Sequence, residues 1–259
     1  MRSTQNAAMG RIRMVACSAT GWAGLFMAWL LLMTTIAPGK GQAVLPPGPD
    51  DIVVISDELA AGYGLQPHEM FPAVLLRDLK RENLNYQVRS ASGPGDTAEV
   101  GARRVSVVLQ VPKLKWVVLA LGRNDAEKRV PLDNTRASLS GTIEAFLEKG
   151  VGVVLCGFRQ APGDDLAYSA GFSSLFPELA RGFKLPFVTN LMAGVEGVAA
   201  MNLNDGKHPN KDGQRQIARN ISDVLFPILR GSQTNAAPDK GTPQRREVPP
   251  GAVAPQMQF

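Results

Sequence analysis

The sequence has few of the residues that build disulfide frameworks, metal centres or base-stacking surfaces. Among its 259 residues are only two cysteines and two histidines, and aromatic residues make up 6% of the chain. Cys17 lies in the N-terminal segment, whereas Cys156 lies in an apolar run and is predicted to fill the core, so no disulfide framework is expected. Two histidines exclude a His-rich metal centre, and we expect neither a metal nor a cofactor.

A strong net charge is also missing from most of the chain. The formal charge is +5, but the first 43 residues contain four basic residues and no acidic one. Residues 44–259, with 24 basic and 23 acidic residues, carry +1. Nucleic-acid binding needs clustered Lys and Arg, and no such cluster is visible along this part of the sequence. We therefore expect no nucleic-acid partner.

The N-terminal segment has the pattern of an export signal. Arg11 and Arg13 precede an uncharged, largely apolar stretch from Met14 to Gly39, which matches a positive region followed by an apolar region. Residues 1–43 are predicted to be a signal peptide cut near Ala43. Retention as a membrane anchor stays open, because the stretch approaches the ~20 residues that span a bilayer. In both cases the rest of the chain is expected in the periplasm or outside the cell, and only this segment would contact a membrane.

Residues 48–230 are predicted to form one α/β domain. Apolar, β-branched runs alternate there with segments of helical period, which is typical of a parallel sheet covered by helices on both faces. Five strands are predicted at 51–55, 86–90, 116–121, 152–156 and 186–189, and helices at 72–82, 98–109, 134–149, 166–182 and 211–229. Residues 231–259 contain five prolines and no apolar period, so we expect a disordered tail.

Polar loops follow the strands at the edge of the sheet where ligands bind in such folds. The loops contain Ser56-Asp57-Glu58-Leu59, Gly95-Asp96-Thr97, Gly122-Arg123-Asn124-Asp125 and, before the last helix, Asp205-Gly206-Lys207-His208-Pro209. In this order they resemble the motif blocks of the SGNH (GDSL-type) hydrolases, most closely the bacterial periplasmic thioesterase I/lysophospholipase and arylesterase branch. The resemblance covers nearly all of residues 51–229. It implies a flavodoxin-like, three-layer α/β/α fold with a five-stranded parallel sheet.

The resemblance also implies a role for the matching residues. Gly95 and Asn124 fall where the family has its oxyanion-hole donors, and Asp205 and His208 match the acid and the base of its triad. The nucleophile position departs from the pattern, because the family has Gly-Asp-Ser-Leu there. Glu58 stands where the serine is expected.

Glu58 has two interpretations. If Asp57 caps a helix, Glu58 lies in the first turn, where the helix dipole stabilises a carboxylate by about 0.3–1 kcal/mol. Alternatively, its carboxylate reaches between Gly95 and Asn124, mimics the oxyanion and pairs with His208.

Arg123 could project into the same cleft and bind an anionic substrate or Glu58 itself, and Asp57 is a second candidate for substrate contact. Ser56, two positions before Glu58, is a much weaker candidate nucleophile.

The sequence thus predicts an exported scaffold for hydrolysis of acyl esters or thioesters, including lysophospholipid-type substrates. Because Glu58 replaces the nucleophile, we expect an enzyme that is weakly active through water, or inactive. A catalytically silent envelope protein that binds lipid, acyl chain or glycan is the alternative, and a structural envelope partner is a third possibility.

Overall fold

The computed structural model describes residues 48–159 and 165–234; the predicted signal segment and the chain beyond position 234 lie outside the described residues. Five parallel strands form one sheet in the order β2-β1-β3-β4-β5. The strands are β1 (Asp50–Ser56), β2 (Tyr86–Ser90), β3 (Leu114–Ala120), β4 (Gly152–Cys156) and β5 (Phe187–Val188). The predicted five-stranded parallel sheet is confirmed.

The central strands are apolar on both faces. Ile52 to Ile55 of β1 and Val117 to Ala120 of β3 are almost completely buried, as expected for strands with helices on both sides. Val54 pairs with Ser90 of β2 and with Val118 of β3. This register brings the carboxyl ends of β1, β2 and β3 to one edge, where the polar loops begin.

Eight α-helices surround the sheet in the described part of the chain. They are α1 (Glu58–Ala61), α2 (Phe71–Arg81), α3 (Ala98–Ala102), α4 (Val105–Val108), α5 (Arg123–Glu127), α6 (Leu132–Glu148), α7 (Leu166–Gly182) and α8 (Lys211–Thr234). α2 packs against α8, whereas α6 packs against α3, α4 and α7. Right-handed crossovers between parallel strands put these two groups on opposite faces of the sheet, which gives the predicted three-layer α/β/α fold.

The helices differ from the sequence prediction by one or two residues at the ends of α2 and α6, and by more in three places. The helix predicted at 98–109 is two short helices, because the chain turns at Arg103 and Arg104 and the Arg104 guanidinium pairs with Asp96. α5 was missed, since five residues are too few for a helical period. α8 continues through Thr234, beyond the predicted end at Leu229, because its last turns are polar and carry no apolar signal.

The prediction for Cys156 is confirmed, and a side chain caps the start of α7. Cys156 is fully buried, and burial raises the pKa of its thiol, as expected for a core residue. Asp165 caps α7 by accepting a hydrogen bond from the Tyr168 N–H at 3.0 Å; its neighbour Asp164 lies outside the described residues. Over residues 48–159 and 165–234, the helices are too short or too polar to cross a membrane.

The fold gathers basic residues that are far apart in the sequence. Arg77 and Arg81 of α2 line one cavity together with Lys211, Arg215 and Arg219 of α8. The expectation that the main body has no Lys/Arg cluster is therefore wrong. More than 100 residues of sequence separate the two helices, so inspection along the chain could not reveal the cluster.

Candidate active site

The turn after β1 carries Asp57 and Glu58. Asp57 caps α1, because its Oδ1 accepts a hydrogen bond from the Leu59 N–H at 3.0 Å, and Glu58 opens the helix as expected. Gln214 of α8 holds this turn through its side-chain amide. Its Nε2 donates a hydrogen bond to the Leu59 carbonyl at 3.0 Å, and its Oε1 accepts one from the Phe71 N–H at 2.8 Å. α1, α2 and α8 are thus joined beside the site.

The Glu58 carboxylate lies between Gly95 and Asn124. Its Oε2 accepts hydrogen bonds from the Gly95 backbone N–H at 3.0 Å and from the Asn124 amide at 2.8 Å. Its Oε1 pairs with the Arg123 guanidinium at 3.0 Å. The predicted contact with Gly95 and Asn124 is therefore confirmed, and every donor around this carboxylate is engaged by it.

The predicted pairing of Glu58 with His208 is wrong. Among the described residues, the ion-pair partner of Glu58 is Arg123, and that of His208 is Asp205. Arg123 precedes Asn124 at the start of α5, so one short segment delivers both side chains to the same carboxylate. The permanent charge of a guanidinium also suits a carboxylate better than an imidazole does.

Asp205 and His208 form a hydrogen-bonded pair in the loop before α8. Nδ1 of His208 lies 2.7 Å from one Asp205 oxygen, and the other oxygen accepts the backbone N–H groups of Lys207 and His208 at 2.9 and 3.0 Å. These bonds lower the pKa of Asp205 to about 2. An ionised carboxylate at Nδ1 keeps the proton on that nitrogen and leaves Nε2 free for proton transfer.

Tyr63 stacks on the imidazole of His208, with ring centroids 3.8 Å apart and planes inclined by 18°. No pattern in the sequence predicted this contact, although Tyr63 follows the first motif block. The stack fixes the orientation of the ring that Asp205 already holds at Nδ1.

The Gly95 turn is held by its backbone conformation and by Lys128. Gly95 has a φ of 73°, in the left-handed region that side chains other than glycine's disfavour. Its carbonyl accepts a hydrogen bond from Lys128 Nζ at 2.6 Å. Sequence reasoning assigned no role to Lys128, and no pattern in the sequence pointed to it.

A second carboxylate holds Arg123 in place. Nη2 of Arg123 lies 3.3 Å from Oε1 of Glu127, which follows one helical turn later in α5. The i,i+4 spacing is a recognisable signal, but α5 itself was not predicted. Arg123 is consequently bound by two carboxylates, and only 14% of its side chain is exposed.

Asp57 and Glu58 differ sharply in their affinity for a proton. Burial, and after it the negative charge of Glu58, raise the pKa of Asp57 to about 7. The hydrogen bond from Leu59 and the positive charge of Arg123 lower this pKa, but by less. Burial opposes ionisation of Glu58 too, but hydrogen bonds from Asn124 and Gly95 and the charge of Arg123 hold its pKa below the usual value. The Asn124 amide contacts both residues, at 3.3 Å from Asp57 and 2.8 Å from Glu58. The first proton that this pair takes up therefore goes to Asp57.

The hydroxyl groups near the site are engaged in local structure. Ser56 is completely buried at the end of β1, and its N–H donates to the Ser92 hydroxyl at 2.9 Å. Thr97 caps α3 by accepting a hydrogen bond from the Val100 N–H. The placement of Ser56 agrees with the expectation that it is a weak candidate nucleophile.

A cleft of about 420 Å³ opens beside Arg123. Its lining mixes two kinds of residue. The apolar ones are Ala126, Phe158, Phe172 and Met192, and the others are Arg123, Glu127, Glu196, Asn202, Gly206 and Lys207.

Comparison with known proteins gives a consistent picture. The model of the GDSL-like Lipase/Acylhydrolase family matches residues 57–216. Esterase TesA of Pseudomonas aeruginosa is 29% identical over 178 residues, which cover 69% of this chain and 89% of that protein. Thioesterase 1/protease 1/lysophospholipase L1 of Escherichia coli K12 is 28% identical over 180 residues, covering 70% and 85%. A crystal structure of TesA superposes with a TM-score of 0.66 at 28% identity and covers 69% of this chain and 99% of that one.

Proposed function

The chain belongs to the GDSL-like lipase/acylhydrolase family, and on that basis we propose that it is an exported acyl-ester/thioester hydrolase scaffold whose site is closed by its own Glu58. In this proposal Glu58 stands at the nucleophile position. Gly95 and Asn124 are the oxyanion donors, and Asp205 and His208 are the acid and the base. One observation carries it: a single Glu58 oxygen accepts both the Gly95 N–H and the Asn124 amide.

The carboxylate opposes ester hydrolysis in two ways. A carbonyl oxygen becomes negative when its carbon is attacked, and it needs two free donors at that moment. Glu58 already uses both donors and adds a negative charge of its own at the same point. Without a serine, no acyl-enzyme forms, and losses of about 10⁴ to 10⁶ in rate are typical when a triad member is missing.

Slow hydrolysis would then proceed through water. Nε2 of His208 takes a proton from a water molecule, the water oxygen attacks the acyl carbon, and Asp205 stabilises the imidazolium that forms. When the tetrahedral intermediate collapses, the bond to the alcohol or thiol breaks, the imidazolium gives its proton to this leaving group, and the carboxylic acid is released. Substrate must displace the Glu58 carboxylate from Gly95 and Asn124 before its own oxygen can bind there. This displacement also works against the ion pair with Arg123.

The substrates that we propose are small acyl esters and thioesters, including lysophospholipid-type molecules. The lining of the cleft beside Arg123 includes Phe158 and Phe172, which suits an acyl chain. The names of the similar proteins refer to esterase, thioesterase and lysophospholipase activities. Arg123 and Lys207 are balanced in the lining by Glu127 and Glu196, so the cleft sets no preference for a charged acyl group.

We also propose that the domain works outside the cytoplasm. Residues 1–43 would direct export and residues 48–230 would form the domain. Intact-mass analysis of protein recovered from the cell envelope tests this point. A chain that starts near residue 44 supports cleavage, a full-length envelope protein supports an anchor, and a full-length cytoplasmic protein overturns export.

The central experiment restores a hydroxyl at position 58. We expect Glu58→Ser to hydrolyse short acyl esters or thioesters faster than the parent, because it frees Gly95 and Asn124 and supplies a nucleophile for His208. Glu58→Ala and Glu58→Ser/His208→Ala are the controls, since the first frees the donors without a nucleophile and the second removes the base. A rate for Glu58→Ser no higher than that of either control would overturn the proposal.

A further inference from the structure

A cavity of about 690 Å³ lies between α2 and α8, and its lining is dominated by positive charge. Five basic side chains line it: Arg77, Arg81, Lys211, Arg215 and Arg219. Only two carboxylates, those of Glu69 and Asp78, face them. With His68 neutral, the lining carries a charge of +3 within a chain whose residues 44–259 sum to +1.

We propose that this cavity binds a small polyanion that carries two or more phosphate groups. None of its lining residues belongs to the site around Glu58, so the proposal is independent of hydrolysis. The argument rests on three observations: cations without a partner, the spacing of the cations along the two helices, and the volume and lining of the cavity.

Two of the cations have no partner of their own. Asp78 pairs with Arg81 at 3.1 Å, and Arg215 pairs with Asp212. The side chains of Lys211 and Arg219, both exposed, form no ion pair or hydrogen bond with any residue of the described ranges. The cavity thus holds positive charge that the protein itself leaves unbalanced.

The spacing of the cations brings like charges together. Arg77 and Arg81 are four residues apart on α2, and Lys211, Arg215 and Arg219 repeat at the same interval on α8. Like charges at i,i+4 on a helix repel each other, and here the two rows also line one cavity. An anion held between the helices would be attracted by both rows and would offset this repulsion.

Phosphate is the anion that fits these side chains. Guanidinium groups bind phosphate through two parallel hydrogen bonds, and an ammonium group adds a point charge. The volume of 690 Å³ lies in the range of small-molecule sites, and Val74 is the single apolar side chain of the lining. A compact, strongly charged ligand is therefore favoured over an acyl chain.

The test uses tripolyphosphate as the probe and calorimetric titration of the full chain at low salt. We expect saturable binding to one site and at least a tenfold loss of affinity in Lys211→Gln/Arg219→Gln. The matched control is Lys115→Gln/Lys149→Gln, which removes two exposed lysines outside the cavity and changes the net charge equally. The control should change the affinity less than twofold.

Three results would overturn the proposal: no binding by the parent, an equal loss in both double variants, or binding of a short DNA duplex without binding of tripolyphosphate. Vesicles then separate the two sources of phosphate. If cardiolipin vesicles, whose headgroup carries two phosphates, bind the parent more strongly than Lys211→Gln/Arg219→Gln and tripolyphosphate competes, the phosphates belong to a lipid headgroup. If the two proteins bind the vesicles equally, the ligand is a soluble phosphate compound. Neither arm measures hydrolysis, so failure here leaves the proposal for Glu58 intact.

Discussion

Arg123 and Glu58 form an ion pair at the centre of the candidate site, with Nη1 and Oε1 3.0 Å apart and side chains that are 14% and 9% exposed. Each partner needs the other, because a charge left alone in such a position has lost much of its hydration without compensation. Asn124 and Gly95 complete the surroundings of the carboxylate. The pair is therefore expected to contribute to the stability of the fold.

Removal of Arg123 should therefore reduce stability. We expect Arg123→Gln to lower the free energy of unfolding by about 1–3 kcal/mol, because Glu58 keeps two hydrogen-bond donors but loses its counter-charge. Urea unfolding followed by circular dichroism gives the value. Arg103→Gln is the control: it breaks the exposed pair with Glu99 and should cost at most about 0.5 kcal/mol. Equal losses of unfolding free energy in the two variants would show that the buried pair stabilises the fold no more than the exposed pair does.

Asp57 should make stability depend on pH. Its pKa is raised from 3.8 to about 7 on folding, so the folded state binds a proton that the unfolded state has lost. Stability contributed by this proton is present below about pH 4 and falls as pH rises to 7, by an amount on the order of 2–4 kcal/mol. The opposite shift of Glu58 acts at lower pH, where protonation of that carboxylate removes stability.

Asp57→Asn removes this titration and isolates its effect. The unfolding free energies of variant and parent are measured in urea at pH 5 and at pH 8. We expect the variant-minus-parent difference to increase from pH 5 to pH 8, because only the parent loses stability through titration of Asp57. Asp133→Asn, at an exposed position in the first turn of α6, should follow the parent at both pH values. A constant difference between Asp57→Asn and the parent would contradict the raised pKa.

Gly95 should resist substitution for conformational reasons alone. A Cβ at this position would meet only Lys128 Nζ at 3.8 Å, so there is room, but the φ of 73° strains any L side chain. We expect Gly95→Ala to cost about 1–2 kcal/mol. Gly141→Ala, within α6 and with open space around its Cβ, should instead stabilise by about 0.5–1 kcal/mol. Thermal unfolding of both variants checks this; the same sign for both would refute the strain argument.

Labelling with a fluorophosphonate probe should report the chemistry of position 58. The parent and Glu58→Ala should remain unlabelled, because Ser56 is buried and Ser92 is hydrogen-bonded within the loops. Glu58→Ser should be labelled at residue 58, as mapped by peptide mass spectrometry. A label on Ser56 or Ser92 of the parent would show that the nucleophile has been placed wrongly.

Much of this arrangement was predictable from the sequence. The apolar runs located all five strands, and the carboxyl ends of these strands placed the polar loops at one edge of the sheet. The α/β class follows from this pattern. The Glu58 contacts with Gly95 and Asn124 follow from the resemblance to the SGNH hydrolases together with the length of the glutamate side chain.

The ion-pair partner of Glu58 could not be predicted from the sequence in the same way. Arg123 and His208 were both available, and the choice depends on α5, a helix too short to leave a periodic signal. The basic cavity was missed for a related reason, since α2 and α8 each carry an ordinary row of charged surface residues. Only the packing of the two helices makes one cluster of them.

Gln214 sets the spacing of three chain segments with one buried side-chain amide. Its oxygen holds the first residue of α2, its nitrogen holds the carbonyl of Leu59, and its backbone belongs to α8. Both bonds span short, fixed distances, so α2 cannot move relative to α8 without straining the residue that follows Glu58. Replacing this one amide by an apolar side chain would leave the Phe71 N–H and the Leu59 carbonyl without the partner that now joins them.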